Sequence, residues 1–253
     1  MKIIQPQREY THSYYLTAAR CNAQSELSVA KLAQQVIETA TTHANNLGVG
    51  YERLIRDGYA WVLSRLTFEM ARYPHMHEHY TLTTWIEGFN RHFSERNFVV
   101  APESGETLGH VRSVWVAIDI ASRRPANLDG ITNLADSISS RKCPITPQSK
   151  LHPVSSPSTT CRYIFDASDI DFNRHVNTVR YIELMTNSMP LQTYDSHYIS
   201  RFEIAFSHEA HYGEEAAIKA AHTTDSTDPI TVHTEISDSG KTFCIAKFLL
   251  KTR

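Results

Sequence analysis

The sequence predicts an α+β fold in which one plan occurs twice, a long helix wrapped by a curved antiparallel sheet in each half of the chain. Three observations predict it. Residues 27–47 and residues 176–189 both carry apolar side chains at helical spacing. Each of these runs is followed by several stretches of alternating residues. Between the two sets lies residues 141–158, rich in serine and holding Pro144, Pro147, Pro153 and Pro157, a composition suited to a linker. The expected organisation is therefore 1–140, a linker at 141–158, and 159–253.

Taken in order, residues 9–18, with Tyr10, Tyr14, Tyr15 and Leu16, read as an aromatic-rich strand. In the first helix Leu32, Ala33, Val36, Ile37, Ala40 and Ala44 fall on one stripe. Ser25 or Ser28 is placed to cap its start, and Gly48 stands where it should stop. Residues 58–72 read as extended and mostly buried. Residues 81–87 alternate, with Leu82, Thr84 and Ile86 on one face. Val114, Val116, Ile118 and Ile120 alternate against Trp115, Ala117 and Asp119 in another strand.

The second half repeats the order. Residues 159–165 are strand-like, and in the second helix Val179, Ile182, Met185 and Met189 are spaced for one buried face. Strands are expected at 197–208, 214–222, 229–237 and 241–251. Ser239-Gly240 reads as the turn between the last two. A helix followed by consecutive antiparallel strands lies across the concave face of the sheet it precedes. Two such units make a double hotdog, with an apolar tunnel between helix and sheet suited to an alkyl chain.

The 253 residues are 41% hydrophobic and 21% charged, with a formal net charge of -2. A core is expected, and the absence of a global basic field argues against nucleic acid as a partner. No apolar run is long enough to span a membrane. Met1-Lys2-Ile3-Ile4-Gln5-Pro6 has no long apolar segment, so no secretory leader is expected. Cys21, Cys143, Cys161 and Cys244 form no CxxC pair, which with the missing leader suggests a reducing cytoplasm.

The richest chemistry lies in Asp171-Phe172-Asn173-Arg174-His175-Val176-Asn177. A carboxylate, a carboxamide and an imidazole at i, i+2 and i+4 stand just ahead of a helix. The bland reading is an Asx-rich loop that caps the helix. In the functional reading, backbone N–H groups at His175, Val176 and Asn177 polarise a carbonyl at the positive end of the helix dipole. Glu209, in Phe206-Ser207-His208-Glu209-Ala210-His211, is a carboxylate at a strand end, a place where Glu is usually just solvated. His75, His77 and His79 would share a face on a strand and offer three imidazoles to a metal, but a loop after Pro74 is the favoured reading, and no metal site is assigned. Cys244 alternates with apolar neighbours and reads as core. Arg91, Arg96, Arg123, Arg124, Arg141 and Lys142 read as ordinary surface charge or as docking for an acidic partner.

These residues resemble the acyl-acyl carrier protein thioesterases of plants and bacteria. The run from Asp171 through Tyr181 is similar to the family's catalytic segment, with Thr178 where members often have a second Asn. The family's Glu-Cys pair falls, at its usual separation from the histidine, on Glu209 and Ala210, so a cysteine nucleophile is not expected. Gly58-Tyr59-Ala60-Trp61-Val62-Leu63-Ser64-Arg65, Glu69-Met70-Ala71-Arg72-Tyr73-Pro74 and the stretch from Ser113 to Asp119 followed by Arg123-Arg124 resemble its N-terminal half. Met76-His77-Glu78 departs from the turn usual there. No transit segment precedes these motifs, which suggests the compact bacterial type.

The resemblance implies hydrolysis of fatty acyl-acyl carrier protein to free fatty acid and holo-carrier, in fatty acid biosynthesis, without metal or cofactor. It implies a site of Asp171, Asn173, His175 and Glu209, with Val176 and Asn177 at the oxyanion. The N-terminal hotdog would hold the acyl chain, and Arg123, Arg124, Arg141 and Lys142 would dock the carrier. A monomer or homodimer is expected. The competing readings are a hotdog acyl-CoA thioesterase, a non-catalytic acyl-binding module, a histidine-rich metal-binding protein and a hotdog dehydratase.

Overall fold

The computed structural model describes residues 8–128, 135–222 and 229–253. The stretch Met1–Pro6 considered for a leader lies outside the described residues. Among the described residues ten strands form one antiparallel sheet: β1 (Glu9–Tyr15), β2 (Tyr59–Met70), β3 (His79–Phe89), β4 (Phe93–Pro102), β5 (Gly109–Asp119), β6 (Thr159–Ile164), β7 (His197–Phe206), β8 (Glu215–His222), β9 (Ile230–Asp238) and β10 (Lys241–Thr252). Their order across the sheet is β1-β3-β4-β5-β2-β7-β10-β9-β8-β6. The second five strands mirror the first, so the chain is an α+β double hotdog whose halves meet along β2 and β7. That seam runs from Arg65 opposite Ala205 to Glu69 opposite Arg201. Phe68 stacks on Phe202 across it, with ring centroids 5.9 Å apart.

The long helix α1 (Val29–Asn46) begins at Ser28, whose hydroxyl accepts the Lys31 N–H at 3.3 Å. It ends before Gly48, whose φ of +71° is the left-handed turn that favours glycine. Leu32, Ala33, Val36 and Ala40 are buried, as the periodicity predicts. They join Leu66, Phe68, Leu82, Phe98 and Val100 of the sheet in one core with Ile182, Met185, Phe202, Ile204 and Phe248 of the second half. Each such Leu, Ile, Val or Phe contributes about 1.5–3 kcal/mol by leaving water. The second helix, α3 (Thr178–Thr186), is shorter than the expected 176–189 and touches α1 directly. Two one-and-a-half-turn helices, α2 (Tyr51–Arg56) and α4 (Leu191–Ser196), were not expected from the pattern.

Two strand details differ from the sequence expectation. β4 carries no clear apolar alternation because Ser94, Arg96 and Asn97 are themselves buried. In β5 the buried phase is Val111, Ser113 and Ala117, while Val114, Val116 and Ile118 are half-buried and Ile120 is exposed. The hairpin between β9 and β10 turns at Ser239-Gly240, as expected, with Lys241 opposite Asp238.

Residues 141–158 contain no helix or strand, yet they are not a loose spacer. Cys143, Ile145 and Val154 are buried. Arg112 donates to the Cys143 and Ile145 carbonyls, Arg201 to the Thr146 carbonyl, and the Val154 N–H to Glu235. The stretch is strapped to the sheet by side chains of both halves. No helix among the described residues is long and apolar enough to cross a membrane.

Candidate active site

The loop 170–177 is built around Asp171. The Asp171 N–H donates to the His175 carbonyl at 2.8 Å, and the Arg174 N–H donates to the Asp171 carbonyl at 3.0 Å. Asp171 Oδ1 accepts the Asn173 N–H at 2.8 Å and the His175 N–H at 3.3 Å. Arg174 takes the strained fourth corner at φ +67°. Ile170 and Val176 close the loop as an isolated β-bridge. The loop stands on a buried support: Asp169 accepts from Arg180 at 2.6 Å, from the Tyr163 hydroxyl at 2.9 Å and from the Asp166 N–H at 2.9 Å.

A second segment reaches this loop from the end of β7. The Val176 N–H donates to the Ala210 carbonyl at 2.9 Å, and the Ala210 N–H donates to the buried Tyr181 hydroxyl at 3.1 Å. Burial pushes the Tyr181 phenol well above its usual range. These two bonds set the relation between His175 and Glu209. His175 Nε2 lies 3.3 Å from Glu209 Oε2, with side chains 24% and 33% exposed. The His211 ring stands edge-to-face on His175, centroids 5.2 Å apart, and His211 Nδ1 is 3.6 Å from Glu214.

Among the residues singled out in sequence, His175 and Glu209 therefore meet. Asp171 is in the same loop but spends its carboxylate on backbone amides. Asn173 is exposed, and among the described residues its carboxamide has no partner. The oxyanion expectation for Val176 and Asn177 is corrected by the hydrogen bonds. The helix starts at Thr178, the Val176 N–H is held by Ala210, the Asn177 N–H is held by the Asp169 carbonyl at 2.7 Å, and Asn177 Oδ1 caps the Val179 N–H at 2.8 Å. Satisfied amides cannot also bind an oxyanion.

The docking cations separate. Arg123 does not face outward as a free cation; its guanidinium contacts Glu209 Oε2. Arg141 pairs with Glu9 at 3.2 Å and lies over the Trp85 ring, and Lys142 is 3.7 Å from Glu87. His75, His77 and His79 do not form a strand face: His77 turns at φ +69°, and only His79 belongs to β3. Among the described residues no group of three His, Cys, Asp or Glu side chains is arranged to hold a metal. His211, two positions after Glu209, was not singled out; Arg123 was, but for another role.

The N-terminal half contains a matching loop with the same internal backbone bonds. The Asn22 N–H donates to the Glu26 carbonyl at 2.7 Å, the Ser25 N–H to the Asn22 carbonyl at 3.1 Å, and Asn22 Oδ1 accepts the Gln24 and Glu26 N–H groups at 3.0 and 2.9 Å. Ser25 has φ +61°, Cys21 bridges Leu27, and the Leu27 N–H donates to the Pro74 carbonyl at 2.9 Å. Asn22, Gln24, Glu26 and Tyr73 thus stand where the other half has Asp171, Asn173, His175 and Glu209. Glu26 is 4% exposed and held by both nitrogens of the Arg253 fork, at 2.6 and 2.8 Å.

Two helix-on-sheet halves sharing one sheet, with an imidazole–carboxylate pair at one of two matching corners, define a double-hotdog protein. Family models agree with that class and narrow it. Residues 7–132 match the acyl-ACP thioesterase N-terminal domain, and residues 155–251 match the acyl-ACP thioesterase C-terminal domain. The chain belongs to the acyl-ACP thioesterase family. An acyl-ACP thioesterase from Bacteroides thetaiotaomicron superposes with a TM-score of 0.87 at 31% identity, over 96% of this chain and 98% of that one. The 12:0-ACP thioesterase from Umbellularia californica shares the fold, with a TM-score of 0.86 at 17% identity over 97% and 94% of the two chains. The chloroplastic palmitoyl-acyl carrier protein thioesterase of Gossypium hirsutum is 23% identical over 240 residues, 90% of this chain and 58% of that protein. The chain thus spans a little over half the length of that curated relative.

Proposed function

We propose that the protein hydrolyses fatty acyl-acyl carrier protein to free fatty acid and holo-carrier, in fatty acid biosynthesis in the cytoplasm. The observation that carries this reading is the approach of His175 Nε2 to Glu209 Oε2, 3.3 Å apart on two segments locked together through Val176 and Ala210. Membership of the family supplies the substrate class.

In this mechanism a water lies between the pair and the thioester carbonyl. Glu209 accepts its proton or orients it, and His175 returns a proton to the departing thiolate. Asp171 holds the loop and is the weaker candidate for the base, because its oxygen already accepts two amides. The Asn173 carboxamide, which has no partner among the described residues, is assigned as a donor to the carbonyl oxygen, a role worth roughly 3–4 kcal/mol on the oxyanion. A thioester needs no metal to be attacked, since a thiol leaves readily. Attack by the Glu209 carboxylate itself, through a mixed anhydride, is the alternative chemistry; where water then opens the anhydride at the Glu209 carbonyl, heavy-oxygen label enters that carboxylate after one turnover, which direct attack by water never gives.

The acyl chain is assigned to the N-terminal half, against Leu32, Val36, Leu82 and Phe98, an apolar lining supplied by α1 and the sheet. Two surface grooves lie away from the pair. One of about 510 Å³ lies between α1 and α3, the other of about 360 Å³ at the β6–β8–β9 edge, and neither includes His175 or Glu209.

The test is thiol release from acyl carrier protein thioesters of eight to eighteen carbons, with wild type and His175→Ala. Turnover that falls about 10²–10⁴-fold in the variant supports the reading. Equal or faster turnover of acyl-CoA by the wild type would replace the carrier with the soluble cofactor, and fatty-acid binding without turnover would make the protein a binding module.

A further inference from the structure

We infer that Arg123 is a positioning residue of the active site: its guanidinium holds the Glu209 carboxylate against His175, so that the N-terminal half completes a site whose other members come from the C-terminal half. The inference rests on the reading of His175 and Glu209 as the working pair.

The backbone around Arg123 is built to hold this side chain in place. It lies in the return after β5, where the Arg123 N–H donates to the Asp119 carbonyl and the Asp119 N–H to the Arg124 carbonyl, both at 2.9 Å. Asp119 Oδ1 accepts the Ser122 N–H and hydroxyl, each at 2.7 Å, and these bonds keep its carboxyl below the usual range. The following residues run back along β5, with Pro125 bridged to Ile118 and the Ala126 N–H on the Ala117 carbonyl at 2.7 Å. Within this rigid return Arg123 itself takes φ +58°. Glycine would adopt that conformation without strain, and a long β-carbon-bearing residue does so at a cost. The cost is met at a position whose side chain reaches Glu209, 86 residues further along the chain.

The contact is also specific to one oxygen. Arg123 Nη2 and His175 Nε2 both address Glu209 Oε2. Oε1 has no partner among the described residues and is left to take a proton from water. A guanidinium pins a carboxylate through a charge-assisted bond, and a group displaced by about an ångström can lose as much as 10²-fold in rate. The side chain is 48% exposed, so a small ion from solvent can reach its place.

The experiment measures kcat and KM for acyl-carrier thiol release in wild type, Arg123→Gln, Arg123→Lys, Arg123→Ala, Glu209→Gln and the Arg123→Gln/Glu209→Gln double variant, with Arg162→Gln, at an exposed surface pair, as the control. Arg123→Gln is expected to lower kcat by about 10- to 100-fold with KM little changed, while Arg123→Lys keeps most of the rate. Guanidinium ion should partly restore Arg123→Ala, a rescue that a merely structural residue would not show. In the Glu209→Gln background the Arg123 change should cost no further activity, since the arginine acts only through that carboxylate. A rise in KM at constant kcat, or losses that multiply in the double variant, would overturn the inference in favour of carrier docking. An active wild type with an unaffected Arg123→Gln sinks this inference alone. A wild type inert toward every acyl carrier thioester removes the thioesterase reading beneath it.

Discussion

Asp171 gives the sharpest test of how the site is built, because two substitutions separate its shape from its charge. Its Oδ1 holds the amides of Asn173 at 2.8 Å and His175 at 3.3 Å. In Asp171→Ala both bonds vanish. A hydrogen bond to a charged group contributes about 1.5–3 kcal/mol; the second is long and the residue is half-exposed, so the sum is about 2 kcal/mol. For a chain of this size that lowers Tm by roughly 4–8 °C. Asp171→Asn keeps an oxygen at the same place, and the molecule already shows that a carboxamide suffices, since Asn22 Oδ1 holds two amides at 3.0 and 2.9 Å in the matching loop. Thermal unfolding of Asp171→Asn should therefore fall within about 2 °C of wild type, a stability change under about 0.5 kcal/mol. Thiol release should retain kcat within about tenfold, less than a missing general base costs. The reasoning is refuted if Asp171→Asn melts like wild type yet is as inactive as His175→Ala, because the charge itself would then be part of the chemistry.

Two further predictions concern stability. Arg253→Gln leaves the buried Glu26 carboxylate without its fork and should cost about 2–3 kcal/mol in urea unfolding, the full cost of an unpaired buried charge reduced for the partial exposure of Arg253. Glu26→Gln, which removes the charge with the partner, should cost less, and the reverse order would count against the pairing. At Glu78, the Arg72 guanidinium at 2.7 Å holds the carboxyl below its usual range. The unfolded chain then binds that proton more readily, so the contribution is complete above about pH 4.5 and is lost as pH falls through the lower folded value. Glu78→Gln should flatten that part of the acid unfolding curve, and an unchanged acid limb would show that the pair does not set it.

The plan of the fold was legible because helices advertise their buried stripe. Leu32, Val36 and Ala40 recur at helical spacing, and so do Ile182 and Met185. β4 was not, since Ser94, Arg96 and Asn97 are buried through partners that no local pattern displays: Arg96 donates to His43 at 2.7 Å, Asn97 to Glu87 at 2.7 Å. The phase of β5 was hidden for the opposite reason, as both of its faces carry apolar residues. At the site, the residue types from Asp171 to His175 marked the place, and the resemblance brought in Glu209. What could not be read was the state of each hydrogen-bonding group. A helix start suggests free amides, but whether Val176 and Asn177 are free depends on Ala210 and Asp169. Arg123 showed its charge in the sequence, while its target lay in the other half.

The two matching corners explain why only one of them is suited to chemistry, though the backbone bonds are nearly the same in both. Backbone geometry cannot be the difference. In the N-terminal corner the place of the imidazole is taken by Glu26 and the place of the carboxylate by Tyr73, whose phenol is pushed far above its usual range by burial, so the imidazole–carboxylate pair is missing there. Arginine is used in opposite ways as well. Arg253 occupies both oxygens of Glu26, Nη1 on Oε1 and Nη2 on Oε2, which consumes the carboxylate and turns the corner into a buried clamp on the end of β10. Arg123 and His175 both address a single oxygen of Glu209, and the other has no partner among the described residues. A fork that closes on a carboxylate makes it structural, whereas a cation holding one oxygen orients it and leaves the second for a proton. On this view the duplicated scaffold contributes rigidity to both corners, and the number of carboxylate oxygens left unbound separates the one that can act from the one that holds.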